Sequence, residues 1–138
     1  MSLQFGNNKI GGMQYNGVTI GEAMYNGQIV YRSVPPSIYP LDGTWTATCA
    51  FGSSHTGHSH TIAEPGTYTL THSLTGHNGA WGSVQIHTPV GNASENAWPE
   101  GVATLTVALS PGDNVVFSAQ NTDWGDQTYT GSWSIVKN

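Results

Sequence analysis

Three observations predict an all-β fold. Apolar residues alternate with a period of two along most of the chain, turn dipeptides punctuate that alternation, and helix formers never recur at helical spacing. Only 8% of the 138 residues are charged, against about a quarter in an average domain, and there are 18 glycines. A surface so poor in charge has to be built from Thr, Ser, Asn and Gln. A chain of this length holds one full domain and a small appendage.

The appendage comes first. Phe5–Ile10, Tyr15–Ile20 and Tyr25–Val30 align as repeats ten residues apart, each led by an aromatic. The second and third carry Asn16-Gly17 and Asn26-Gly27, a dipeptide that favours two-residue hairpin turns because both positions reach positive φ. The segments between, Lys9–Tyr15, Val18–Tyr25 and Gln28–Arg32, are of strand length. Residues 1–33 therefore read as a three-stranded β-meander, too small to be stable alone. Its exposed edges suit pairing with another chain's sheet, which makes it a docking module. Tyr15, Met24, Tyr25 and Tyr31 supply the apolar contacts of that interface. Folding back onto its own sandwich, or self-association into a trimer, are the alternatives.

Residues 34–40 form a Pro-rich linker. Pro35, Pro36 and Pro40 cannot join a sheet interior and favour an extended spacer. From residue 41 onward the period-two pattern is sustained. Its apolar sets are Trp45/Ala47/Cys49/Phe51, Tyr68/Leu70/His72/Leu74, Val84/Ile86, Ala103/Leu105/Val107/Leu109, Val115/Phe117/Ala119 and Tyr129/Gly131/Trp133/Ile135. Opposite faces are rich in Thr, Ser, Gln and Asn, as on strands with one buried and one wet side. Turn signals separate the strands at Pro65-Gly66, His77–Gly79, Pro111–Asp113 and Trp124–Asp126. Six or seven such strands over residues 41–138 predict a β-sandwich of jelly-roll type.

Composition excludes several functions. The net charge is −5 and the only Lys and Arg residues are Lys9, Arg32 and Lys137, so nucleic acid is not the expected partner. No apolar run has membrane length, so membrane insertion is not expected. The N-terminus lacks the basic and apolar regions of a signal peptide. Cys49 stands alone among apolar neighbours and reads as a small buried hydrophobe. No nucleophile elbow, phosphate loop or zinc-protease motif is present, so no enzymatic activity is expected. Glu95 and Glu100 are the nearest thing to a carboxylate pair, and nothing else supports a glycosidase.

Two constellations remain. His55, His58 and His60 crowd into Ser53–Thr61, whose Gly and Ser residues predict a solvated polar loop. On a strand, His58 and His60 at i, i+2 project from one face, where neutral imidazoles suit a divalent metal such as Zn²⁺, Ni²⁺ or Fe²⁺. Protonating all six histidines moves the formal charge from −5 to +1, which predicts an acid-sensitive contact. His72 and His87 read as half-buried or polar-face strand residues. The second constellation is aromatic. Trp45 and Trp133 belong to the core, whereas Trp81, Trp98 and Trp124 fall in loops. Trp81 and Trp98 read first as plugs for the sandwich ends. The rival reading makes Trp81, Trp98, Trp124 and Asp126 glycan contacts, the indoles stacking on sugar rings.

Two resemblances accompany these residues. Pro65–Tyr68, Leu109–Val115 and Tyr129–Trp133 resemble the Gly-x-Tyr strand, Gly-Asp turn and aromatic-x-Gly strand of C1q/TNF-type jelly rolls, which are usually trimers. Ile20–Tyr31 resembles the short N-terminal repeats of minor tail proteins and other virion components of bacteriophages, especially of actinobacterial hosts. That likeness implies a non-enzymatic structural protein located in the virion, with other tail or capsid proteins as partners. It would be a minor tail or tail-tip protein, or else a capsid decoration protein, and a host-surface glycan is the implied ligand of a host-attachment module. Some phage fibres hold iron at a His-x-His pair from each chain of a trimer, which His58-Ser59-His60 resembles.

Overall fold

The computed structural model describes the backbone of residues 14–15, 18–19, 22–25 and 28–32, and residues 36–138 with their side chains. The chain divides into two compact units, Met1–Ser37 and Ile38–Asn138.

In the first unit, β1 (Gln14–Tyr15) pairs with β2 (Val18–Thr19), and β3 (Glu22–Tyr25) with β4 (Gln28–Arg32). Tyr15 faces Val18 and Tyr25 faces Gln28 across the ladders. Two residues therefore separate the strands of each hairpin, and they are the two Asn-Gly dipeptides. Where one strand was expected over Val18–Tyr25, the structure has two, β2 and β3. The described residues thus form a pair of two-stranded sheets rather than one three-stranded meander. The side chains of Tyr15, Met24, Tyr25 and Tyr31, the expected docking contacts, lie outside the described residues.

The second unit contains β5 (Leu41–Cys49), β6 (Ser54–Thr61), β7 (Gly66–Gly76), β8 (Gly82–Thr88), β9 (Gly91–Ala97), β10 (Glu100–Leu109), β11 (Asn114–Asn121) and β12 (Gln127–Lys137). They form two antiparallel four-stranded sheets, ordered β10-β7-β12-β5 and β6-β11-β8-β9. The pairing nests: the first strand with the last, the second with the next to last, and so inward to β8 with β9. That arrangement is a jelly roll, and the sandwich expected from the alternation is present.

Period-two patterning fills the space between the sheets. On β7, Tyr68, Leu70, His72 and Leu74 point inward and are buried, while Thr67 and Thr75 are exposed. Val84, Ile86, Val115, Phe117, Tyr129 and Ile135 complete the centre from the facing strands. The outer face of the β7 sheet is a lattice of hydroxyls joined across strands, including Thr48 with Thr128 at 2.8 Å and Thr46 with Thr130 at 3.2 Å. These cross-strand pairs give the sheet a wet face without charge.

The two central indoles need special room. Trp45 faces Gly131 across the β5–β12 ladder, and Trp133 faces Gly43. A Cβ on Gly131, or on Gly57 of β6, would overlap the Trp45 indole, and one on Gly43 would lie 2.7 Å from Cζ2 of Trp133. Each indole therefore lies over the neighbouring strand's glycine, an exchange that covers backbone which glycine alone leaves bare.

Successive strands run in opposite senses, so the loops fall at two poles. One pole carries Ala50–Ser53, His77–Trp81, Trp98-Pro99 and Thr122–Asp126. The other carries Ile62–Pro65, Pro89-Val90, Ser110–Asp113 and the entry at Ile38–Pro40. Tyr39 was expected in the linker, yet it is buried there, its ring 5.0 Å from Tyr68 and 5.6 Å from His60. The Ile38 N–H donates to Glu64 Oε1 at 3.1 Å, and Lys137 Nζ meets Glu64 Oε2 at 2.9 Å.

Three expectations are corrected. Ser53–Thr61 is not a solvated loop: Ser54–Thr61 forms β6, hydrogen-bonded along β11 with a bulge that passes over Gly57. Phe51 does not continue the buried face of β5, because the strand ends at Cys49 and Phe51 sits exposed in the following turn. His72 is not on a wet face but fully buried.

Candidate functional site

The pole opposite the chain entry is organised by a buried amide. Asn121, at the end of β11, is wholly inaccessible. Its Nδ2 donates to the carbonyls of Cys49 (2.7 Å) and Gly125 (2.8 Å). Its Oδ1 accepts from the Asp123 N–H (2.8 Å) and the Tyr129 hydroxyl (2.9 Å). The same hydroxyl also lies against the Trp81 carbonyl. The Asn121 side chain thus ties the turn after β5 and the loop after β11 to the core, and the Tyr129 hydroxyl adds the loop before β8. Gly125 makes the last loop possible, since at φ 73° it takes a left-handed conformation that L side chains resist.

Asp123 is the second support. Its Oδ2 accepts from the Trp81 N–H at 3.1 Å and its Oδ1 from the Trp124 N–H at 2.8 Å. Gln127 Nε2 donates to the Trp124 carbonyl at 2.7 Å. Burial, then the Asp123 and Cys49 charges, push the Tyr129 hydroxyl up to about 12, so it stays protonated and available as a donor.

On this frame stand four exposed aromatic rings. Trp81 and Trp98 meet at 4.9 Å with their planes tilted by 56°, yet remain 50% and 70% exposed. With Gly82, Asn96, Ala97 and Thr122 they line a cleft of about 250 Å³. Phe51 and Trp124 stack at 4.8 Å and 14°, and Trp124 is 80% exposed. Asp126 is exposed on the same loop as Trp124. The plug reading of Trp81 and Trp98 does not match these exposures, because small Ala80 and Ala97 are the residues buried at that end. Trp81, Trp98, Trp124 and Asp126 therefore share one pole. Phe51 belongs with them and was missed, since alternation alone continues the strand through it; the signal available was Gly52, a turn former directly after it.

The histidines line a different region, the inner face of β6. The His58 ring lies flat on Trp133, with centroids 3.7 Å apart and planes at 2°. His60 Nε2 is 2.9 Å from the Tyr39 hydroxyl, and His55 packs 5.1 Å from Trp45. His72 Nδ1 meets the Gln85 carbonyl at 3.0 Å, and its Nε2 accepts from the Trp45 Nε1–H at 3.0 Å. That pattern requires a neutral ring protonated at Nδ1. Burial lowers the pKa of His58, His60 and His72 below 6.5; the neighbouring His60 adds to the effect on His58, and the bond to Gln85 partly opposes it at His72. Among the described residues no three His, Cys, Asp or Glu side chains are grouped to hold a metal ion. His58 and His60 offer two donors from one strand face, and His60 Nε2 already faces the Tyr39 hydroxyl. Glu95 and Glu100 are both exposed, on β9 and β10.

No protein-family model matches the chain, and no curated protein does. Among solved structures it is similar to the carbohydrate-binding module CBM6cm-2 from Cellvibrio mixtus lichenase 5A in complex with cellotriose. The identity is 18%, covering 70% of this chain and 88% of that one, with a TM-score of 0.37.

Proposed function

We propose that the jelly roll is a non-catalytic carbohydrate-binding module whose site is the Trp81/Trp98 cleft. The observation that carries this reading is the pair of half-exposed indoles held on a buried, fully bonded support. A folded chain does not leave adjoining indoles in water to fill its own core; such a patch marks a surface that something else covers. The chemistry of the patch fits a sugar. A pyranose ring has an apolar C–H face that stacks on an indole and a rim of hydroxyls that need hydrogen-bond partners. Trp81 and Trp98 supply the first, Asn96 and Thr122 the second. Because Asp123 and Tyr129 fix the Trp81 backbone beforehand, little ordering cost accompanies binding.

The test is affinity electrophoresis through gels containing individual polysaccharides, with Trp98→Ala as the control. A retarded wild type and a Trp98→Ala variant at least about tenfold weaker are expected, the loss of one ring contact plus its buried area. If no polysaccharide retards the wild type, the reading fails.

A second reading concerns the N-terminal unit. Two hairpins, each turning at Asn-Gly and repeated at a ten-residue interval, support a docking role of the kind found in virion tail proteins. The module would then be carried by a phage particle and present its aromatic pole to the host. Co-expressed with the structural proteins of its particle, the full chain should copurify with one of them and a chain beginning at Ile38 should not. Equal copurification would end that reading.

A further inference from the structure

The aromatic pole holds more than one cleft needs. Besides Trp81 and Trp98, the Phe51/Trp124 stack stands in solvent on the adjoining loops. The two platforms are mechanically one. A single carboxylate, Asp123, accepts from the backbone N–H of Trp81 through one oxygen and from that of Trp124 through the other. Thr122 N donates to the Trp81 carbonyl at 3.3 Å, and Gly52 N to the Asn121 carbonyl at 2.9 Å, which locks the Phe51 turn to the same strand end. Nothing in the core requires Trp124 to be aromatic, since it is almost wholly in water.

Charge narrows the ligand. The pole carries Asp123, Asp126 and Glu100. The only Lys or Arg within residues 36–138 is Lys137, which is paired with Glu64 at the opposite pole. Among residues 36–138 an anionic polymer finds no Lys or Arg there and meets carboxylates, while a neutral one loses nothing.

Resting on the carbohydrate-binding reading, we infer that the site has two subsites, Trp81/Trp98 and Phe51/Trp124, and that its ligand is a linear, uncharged polysaccharide bound along several consecutive sugar units. One sugar ring stacks at the cleft, and a ring further along the chain stacks on Trp124. The gain from the second contact appears only when the oligosaccharide reaches it. Affinity therefore rises with chain length and then levels off, because the linked second contact costs no further association entropy.

The experiment uses the full chain. Laminarin, glucomannan and hydroxyethylcellulose serve as neutral polymers, and polygalacturonate as the anionic one. Oligosaccharides of increasing length, cut from whichever neutral polymer binds, are then titrated by calorimetry against wild type, Trp98→Ala and Trp124→Ala. Unchanged thermal midpoints verify that both variants fold. Retardation by a neutral polymer but not by polygalacturonate is expected. Trp98→Ala should lose binding at every length. Trp124→Ala should match wild type on the shortest ligand that binds and lose about three- to tenfold on long ones. If Trp124→Ala follows wild type at all lengths, or if polygalacturonate binds as well as the neutral polymers, this inference is overturned while the Trp81/Trp98 reading stands. If no polymer binds, the reading itself falls. If the wild type is dimeric by light scattering and Trp124→Ala is monomeric with unchanged glycan binding, the second platform is a contact between copies and the two-subsite inference is overturned.

Discussion

Asn121 shows how much one residue can organise. Its amide donates to two loop carbonyls and accepts two further bonds, all in the absence of water. Asn121→Asp keeps the shape but replaces both donors with a carboxylate oxygen facing the carbonyls of Cys49 and Gly125. Losing two bonds and burying that charge should cost about 3 kcal/mol or more. Urea denaturation at pH 7 measures it, and a cost below about 1 kcal/mol would show that the pole does not depend on this amide. Tyr129→Phe removes only a hydroxyl and should cost about 1–2 kcal/mol by the same measurement. His72 makes a different prediction. Its Nε2 accepts from Trp45, so a proton there would oppose the indole N–H, and burial lowers its pKa from 6.5. The folded state therefore refuses a proton that the unfolded chain takes up near 6.5. Stability is level above that pH and falls as the pH drops below it, with His58 and His60 acting in the same direction. Denaturation midpoints between pH 8 and pH 5 should show this decline. His72→Gln, which can still accept from Trp45 and donate to Gln85, should make the decline shallower. A flat profile, or one rising toward acid, would contradict the account.

Strands explain which parts of this architecture could be read in advance. β7 and β12 alternate large apolar residues with Thr and Ser, and both were legible. β9 was not, because only Ala93 and Ala97 face inward from it and the rest of the strand is polar. β6 was missed for a related reason. Its inward residues are Gly and His, whose burial comes from packing on Trp45, Trp133 and Tyr39, and no hydropathy scale registers a histidine paired with an indole. The aromatic pole was half legible. Loop placement of Trp81, Trp98 and Trp124 follows from their flanking Gly and Pro residues, but exposure depends on Asn121 and Asp123, whose bonds join segments far apart in sequence. The exchange between β5 and β12 carries a prediction at this same scale. Trp45 occupies the space above Gly131, so Gly131→Ala must push the indole toward Gly57, where a second backbone blocks it. A cost of about 1–3 kcal/mol is expected for overpacking. Gly131→Ala combined with Trp45→Leu should cost less than the sum of the two single changes, which a double-mutant cycle in urea reads directly. Additive costs would mean that the indole and the glycine are not partners.

At the scale of the whole molecule, the position of the chain entry matters most. Ile38 joins the jelly roll beside Glu64 and Lys137, at the pole away from Trp81, Trp98 and Trp124. The chain therefore enters the jelly roll at the pole that carries none of its exposed indoles. The boundary can be located by truncation, because Tyr39, just before β5, belongs to the core even though the prolines around it read as a spacer. A chain beginning at Ile38 keeps Tyr39 against Tyr68 and His60 and keeps the Ala63 N–H bond to the Tyr39 hydroxyl at 3.1 Å. It should unfold in one cooperative transition, with a midpoint close to that of the full chain. A chain beginning at Leu41 loses the Tyr39 ring and leaves a void between β6 and β7. That should cost about 3 kcal/mol, enough to lower the midpoint of a domain this size by roughly 10 °C or more. Thermal melts of the two truncations decide the matter. Equal midpoints would make residues 38–40 a spacer after all, and failure of the Ile38 chain to fold would mean that the jelly roll needs its N-terminal hairpins to stand.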